Sequence, residues 1–210
     1  MDDCKRINIV LERLRKEYPA ANTALLHRSA FELLIATILS AQCTDERVNI
    51  VTRDLFEKYT LPRDYLRAEQ EELEQDIFST GFYRNKARNI RSCCQVLIDK
   101  FNGEVPRTIE ELTSLPGVGR KTANVVIGHW FGEPAGIVVD THVIRIAGLL
   151  GFTQGKNAEK IEQTLMEITS KEDWTVLTDL LIAHGRAVCI ARRPRCGVCV
   201  LADICPSAQL

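Results

Sequence analysis

Cys189, Cys196, Cys199 and Cys205 form the run C-x6-C-x2-C-x5-C over positions 189–205. Thiolate is a soft donor that selects iron–sulfur clusters, zinc or Cu(I). Structural zinc sites usually present two close Cys pairs, or a Cys pair and a His pair, across a longer loop. This run has a single C-x2-C between long steps and no His beyond His184. Such uneven steps suit the larger ligand set of a 4Fe–4S cluster better than one tetrahedral ion. Zinc is the rival, and two disulfides are the bland alternative. The N-terminus Met1-Asp2-Asp3-Cys4-Lys5-Arg6 has no signal-peptide pattern behind it, so the expected compartment is cytoplasmic and reducing. Cys4, Cys43, Cys93 and Cys94 share no ligand spacing and read as ordinary buried or half-buried thiols.

The second chemical signal is Leu112-Thr-Ser-Leu115-Pro116-Gly117-Val118-Gly119-Arg120-Lys121-Thr122-Ala123. Pro116 stops a short helix, and Gly117 and Gly119 are expected to take backbone angles closed to other residues. A new helix starts at once, so its N–H groups and positive dipole end point out of the turn, an anion site for a nucleic-acid phosphate. Val118 is expected to pack inward. A plain helical corner would use the same Gly and Pro, but the string resembles the helix–hairpin–helix of DNA repair proteins. Lys121 lies on the first turn. It could simply touch phosphate; as a nucleophile it must lose its proton, and a helix N-terminus, Arg120 and partial burial are the settings that help. Asp140, after Ile137-Val138-Val139 and before Thr141-His142, reads as a helix cap. It reads equally as a fixed carboxylate able to stabilise positive charge at a sugar C1′.

The elements that must hold these residues are helical, and the fold class is all-α. Ser29 with Glu32 is a capping box ahead of Phe31, Leu34, Ile35, Ile38 and Leu39 at helical steps. Thr44 or Asp45 caps a helix carrying Val48, Val51, Leu55 and Phe56. A third helix runs from Tyr83 to Phe101 and stops at Gly103. Thr108 with Glu111 is another capping box. Further helices are expected over 121–131, 140–150, 157–169 and 172–188, with Gly136–Val139 the one β-like run. The longest apolar stretch, Leu33 to Leu39, is too short to span a bilayer.

Charge adds little globally, since Lys+Arg 27 against Asp+Glu 28 leaves −1. The distribution is uneven: Arg84, Lys86, Arg88 and Arg91 form one acid-free stretch and Arg186, Arg192, Arg193 and Arg195 another. Glu69, Glu71, Glu72, Glu74 and Asp76 stand opposite in sign. Solvated helix faces are the ordinary reading, and a basic face for nucleic acid is the sharper one.

Together the glycine hairpin with its lysine, Val139-Asp140-Thr141-His142 and the four-cysteine run resemble the endonuclease III family of DNA glycosylases, over essentially the whole chain. The resemblance implies two all-α domains around a DNA-binding cleft: a six-helix domain at 23–133, and a cluster domain joining 1–22 to 134–210. It implies Lys121 as Schiff-base nucleophile, Asp140 as catalytic aspartate, and the four cysteines as ligands of one 4Fe–4S cluster per chain. Gln42, in Leu39–Asp45, would fill the gap left by an extruded base, and Phe82, in Thr80–Tyr83, would be a second wedge. The family usually has an aliphatic residue at Phe82 and a small one at Cys43. Gly117, Gly119 and Arg120 of the hairpin and Arg192, Arg193 and Arg195 of the cluster loop would contact phosphates. The implied partner is double-stranded DNA with damaged pyrimidines or abasic sites, acted on by a monomer with no membrane attachment. Base flipping, base release and β-elimination 3′ to the lesion would follow. Three rivals stand beside this. A monofunctional adenine glycosylase lacks lysine at position 121. A non-catalytic hairpin module needs neither Lys121 nor Asp140. An iron–sulfur electron carrier leaves the hairpin unexplained.

Overall fold

A computed structural model describes residues 2–209. Among them there is no strand, and no helix is long and apolar enough to cross a membrane. In chain order the helices are α1 (Asp3–Glu17), α2 (Ala30–Leu39), α3 (Asp45–Lys58), α4 (Pro62–Arg67), α5 (Gln70–Asp76) and α6 (Tyr83–Phe101). They continue with α7 (Ile109–Thr113), α8 (Arg120–Val126), α9 (Thr141–Leu149), α10 (Ala158–Ile168) and α11 (Trp174–Ala187). The chain divides into two compact units, Thr23–Glu133 and the pair of segments Met1–Asn22 and Pro134–Leu210.

In the first unit α2 is buried on every side, from Phe31 to Leu39, which is what an apolar helix without a polar face must do. α3, α6 and α8 pack around it. Ser29 caps α2, its Oγ accepting from Glu32 N at 3.1 Å. The reciprocal half of the expected box is displaced by one residue, because Glu32 accepts from Arg28 N at 2.6 Å. Thr44, rather than Asp45, caps α3 through Arg47 N. α6 ends in two left-handed residues, Asn102 and Gly103. The expected single helix over 121–131 instead relaxes after Val126 into a wider π turn, Ile127–Phe131.

The second unit is built on a helical stripe of α1, with Ile7, Val10, Leu11 and Leu14 all buried. They pack with Val143 and Ile146 of α9, Ile161 and Leu165 of α10, and Leu177, Leu180 and Leu181 of α11. The β-like run 136–139 forms no strand. It is an extended lead into α9 whose Ile137 and Val138 are buried, and Val138 O accepts from Thr178 Oγ1 at 3.1 Å.

Candidate functional site

The α7–α8 corner is assembled from its caps inward. Thr108 Oγ1 accepts from Glu111 N at 3.3 Å and donates to Glu111 Oε2 at 2.9 Å, fixing the start of α7. After Pro116, Gly117 turns at φ +79°, and a Cβ there would stand 2.8 Å from Asn89 Cβ on α6. Both constraints demand glycine. Val118 is buried, as its apolar side chain requires. Gly119 departs from expectation: its φ of −94° is open to any residue. A Cβ at Gly119 would meet nothing within 4 Å, so what glycine provides there is clearance above the turn. No side chain caps α8, and Arg120 and Lys121 stand exposed on its first turn. Of the settings expected to favour a reactive amine at Lys121, partial burial is therefore absent, because α8 presents this residue outward.

Two loops of the same unit hold exposed side chains on left-handed backbone. Gln42 has φ 55° and Phe82 φ 48°, and Phe82 is 63% exposed. Non-glycine residues adopt this conformation at a cost, and such strain gathers at functional sites. Between the loops lies Lys86 on α6, only 5% exposed. Its Nζ donates at 2.8 Å to Leu39 O, the last residue of α2, and at 2.8 Å to Thr80 O. Arg91 likewise turns inward, Nη1 donating to Tyr65 O at 2.8 Å and also to Ala68 O. The expected basic face over 84–91 thus loses two of its four cations to backbone carbonyls, and only Arg84 and Arg88 remain exposed.

In the other unit Asp140 is the N-cap of α9. Its Oδ1 accepts from His142 N at 2.8 Å and Val143 N at 2.9 Å, so the carboxylate is locked by backbone. Burial pulls His142 below the usual imidazole range, and its Nδ1 faces Arg145 Nη2 at 3.2 Å. The same Arg145 nitrogen donates to Gly185 O at 3.3 Å and Cys189 O at 2.7 Å. Gly185 permits this approach of α9 to α11, since a Cβ would come within 2.6 Å of His142 Nδ1. Lys121 and Asp140 belong to different units.

Cys189, Cys196, Cys199 and Cys205 line one cavity of about 550 Å³, open mouth included, with His184, Leu149, Leu150 and Leu201 among its walls. No disulfide joins any of the four, which sets the disulfide alternative aside. Among the described residues no three His, Cys, Asp or Glu side chains converge closely enough for a single metal ion. Four soft donors spread around a cavity fit a cluster rather than one zinc. Burial pushes the Cys189 and Cys199 thiols up, so thiolates here call for the compensating positive charge that a bound metal brings. Leu201 N donates to Cys199 Sγ at 3.4 Å, and His184, drawn down to about 4 by burial, lies 3.5 Å from the same sulfur. Arg192, Arg193 and Arg195 are exposed on the loop between the first two cysteines, and Arg195 N anchors it to Val188 O at 3.0 Å. Cys93 and Cys94 are buried as expected, whereas Cys4 is exposed on α1.

Comparison with known proteins converges on one group. Residues 35–171 match the HhH-GPD superfamily of base excision DNA repair proteins, and residues 189–205 match the iron–sulfur binding domain of endonuclease III. The chain is 50% identical over 205 residues to endonuclease III of Synechocystis sp., covering 98% of this chain and 94% of that protein. With endonuclease III of Bacillus subtilis it shares 49% over 210 residues, covering 100% and 95%. A solved structure of a trapped covalent intermediate of endonuclease III with DNA, an estranged-adenine complex, matches with a TM-score of 0.93 at 51% identity. It covers 99% of this chain and 98% of that one.

Proposed function

This chain belongs to the endonuclease III family of the HhH-GPD base excision repair superfamily, and on that premise we propose that Lys121 is its nucleophile, Asp140 its charge-stabilising carboxylate, and oxidised pyrimidines of the thymine glycol type its substrates. It is a DNA glycosylase and abasic-site lyase of base excision repair, and it carries an iron–sulfur cluster. The observation that supports the assignment of Lys121 is its place: an exposed lysine on the first turn of an uncapped helix, directly after a turn that only glycine at position 117 can make.

In this mechanism the hairpin's backbone amides hold one phosphate, Gly119 leaves clearance for it, and Gln42 and Phe82 enter the duplex as the damaged base leaves the stack. The free amine of Lys121 attacks C1′ of the extruded nucleotide, and the glycosidic bond breaks with its electron pair leaving on the base. Asp140, held by two backbone amides, offers fixed negative charge to the cationic C1′ of the transition state. Loss of the sugar-ring link then gives the Schiff base of Lys121. Removal of a C2′ proton expels the 3′ phosphate by β-elimination, and water releases the lysine. The cluster, held by Cys189, Cys196, Cys199 and Cys205, supplies a structural anchor for the loop that presents Arg192, Arg193 and Arg195 to phosphates. The protein works as a monomer at the DNA of the cytoplasm.

Borohydride trapping on a duplex bearing one thymine glycol tests this reading. Wild type should form a covalent adduct. Lys121→Gln should form none and release no base, while duplex affinity stays within about a few-fold because the amides remain. Normal adduct yield from Lys121→Gln would place the nucleophile elsewhere.

A further inference from the structure

Among the described residues Lys86 is the one buried cation whose partners lead to both exposed, left-handed loops. Its ammonium bonds Leu39 O, three residues before Gln42, and Thr80 O, two before Phe82. Leu39 closes α2, so its carbonyl has no acceptor role left inside that helix. Thr80 is itself buried, with its Oγ1 donating to Ile77 O at 2.8 Å, and therefore gives the second loop a rigid foot. Cys43 N closes the first loop on Ser40 O at 3.0 Å. An ammonium buried this deeply is costly, and burial does pull Lys86 below the usual lysine range. A neutral side chain would fill the same volume without that cost, so stability alone is a poor reason for a charge here.

We infer that Lys86 is a positioning residue that sets the spacing of Gln42 and Phe82, making two separate loops act as one rigid two-pronged wedge for opening the duplex. The inference rests on the proposed entry of both side chains into DNA. Lys86 touches neither substrate nor reacting atoms; its donors fix the feet of the prongs, and rigidity lets binding energy go into separating base pairs rather than ordering loops.

The test compares single-turnover release of thymine glycol from a full duplex and from a bubble whose opposite strand is unpaired around the lesion. Lys86→Met keeps the volume and removes every donor. It should slow release from duplex about tenfold or more, the cost of losing charged hydrogen bonds at the wedge, and leave the bubble rate within about threefold of wild type. A purely structural lysine would lower both rates together, or neither, and either result overturns the inference. Lys86→Gln, with two uncharged donors on a shorter arm, should show a smaller duplex-specific loss; should Lys86→Met fail to fold, equal losses on both substrates, or none, in Lys86→Gln overturn the inference instead. The double variant Gln42→Ala with Phe82→Ala separates the premise: a duplex rate equal to wild type would sink the wedge itself. A duplex-specific loss in that double variant beside an unaffected Lys86→Met would sink only the role of Lys86.

Discussion

The Asp140 carboxylate spends one oxygen on two backbone amides, which makes it a cap and a fixed charge at the same time. The two roles come apart in Asp140→Asn. Asparagine caps about as well as aspartate, so melting should shift by less than about 1 kcal/mol. Base release should slow by about a hundredfold or more, because a charge aimed at the transition state is gone. Near-normal turnover would leave Asp140 only its cap. A buried carboxylate behaves differently. Burial pushes Asp179 on α11 up to about 7, against an ordinary aspartate near 3.9. The folded chain thus prefers it neutral: the stability it contributes is whole below about pH 4 and is lost as pH rises through about 7. Asp179→Asn should therefore raise the melting temperature more at pH 8 than at pH 5, and equal shifts would show that the carboxylate is held charged. Asp140 is legible in the sequence because capping is local. Lys86 is not: in a string that also holds Arg84, Arg88 and Arg91, nothing local distinguishes a cation facing water from one capping a distant carbonyl.

Helix ends are the most readable elements, since Ser29, Thr44, Thr108 and Asp140 each bond an amide two or three residues on. Helix interiors are less so. The break of α8 into a π turn after Val126 has no local marker, and α1 hides four buried residues among the charges of Asp3–Glu17. The hairpin glycines show the same division, because one letter covers two physical demands. Gly117→Ala forces a side chain onto φ +79° and onto Asn89, and should cost about 1–3 kcal/mol, visible as a lower denaturation midpoint. Gly119→Ala meets no neighbour and no forbidden angle, so the melting temperature should hold. If a phosphate seats against the turn, duplex affinity should nonetheless fall several-fold, measured by fluorescence anisotropy. Unchanged affinity would place the phosphate elsewhere.

The unit formed by Met1–Asn22 and Pro134–Leu210 is built from two segments far apart in sequence and contains the four-cysteine run. Anaerobically purified protein should contain four irons and no stoichiometric zinc. Cys199→Ser should lose the iron absorbance and the exposed arginine loop's protection from protease, with DNA affinity falling as its phosphate contacts scatter. One zinc per chain would overturn the cluster. The four-cysteine run is legible because its spacing is local; the cavity the cysteines share is not, since Leu149, Leu150 and Leu201 come from separate stretches. The split of this unit also orders events in time. Arg13 on α1 donates to Val200 O at 2.9 Å across 187 positions of sequence. On the ribosome α1 emerges 187 positions ahead of Val200, and its apolar stripe stays uncovered over that interval. Thr23–Glu133 can condense meanwhile, so α1 finds its place after the unit that follows it in sequence, and a nascent chain stalled before Val200 offers that stripe to chaperones.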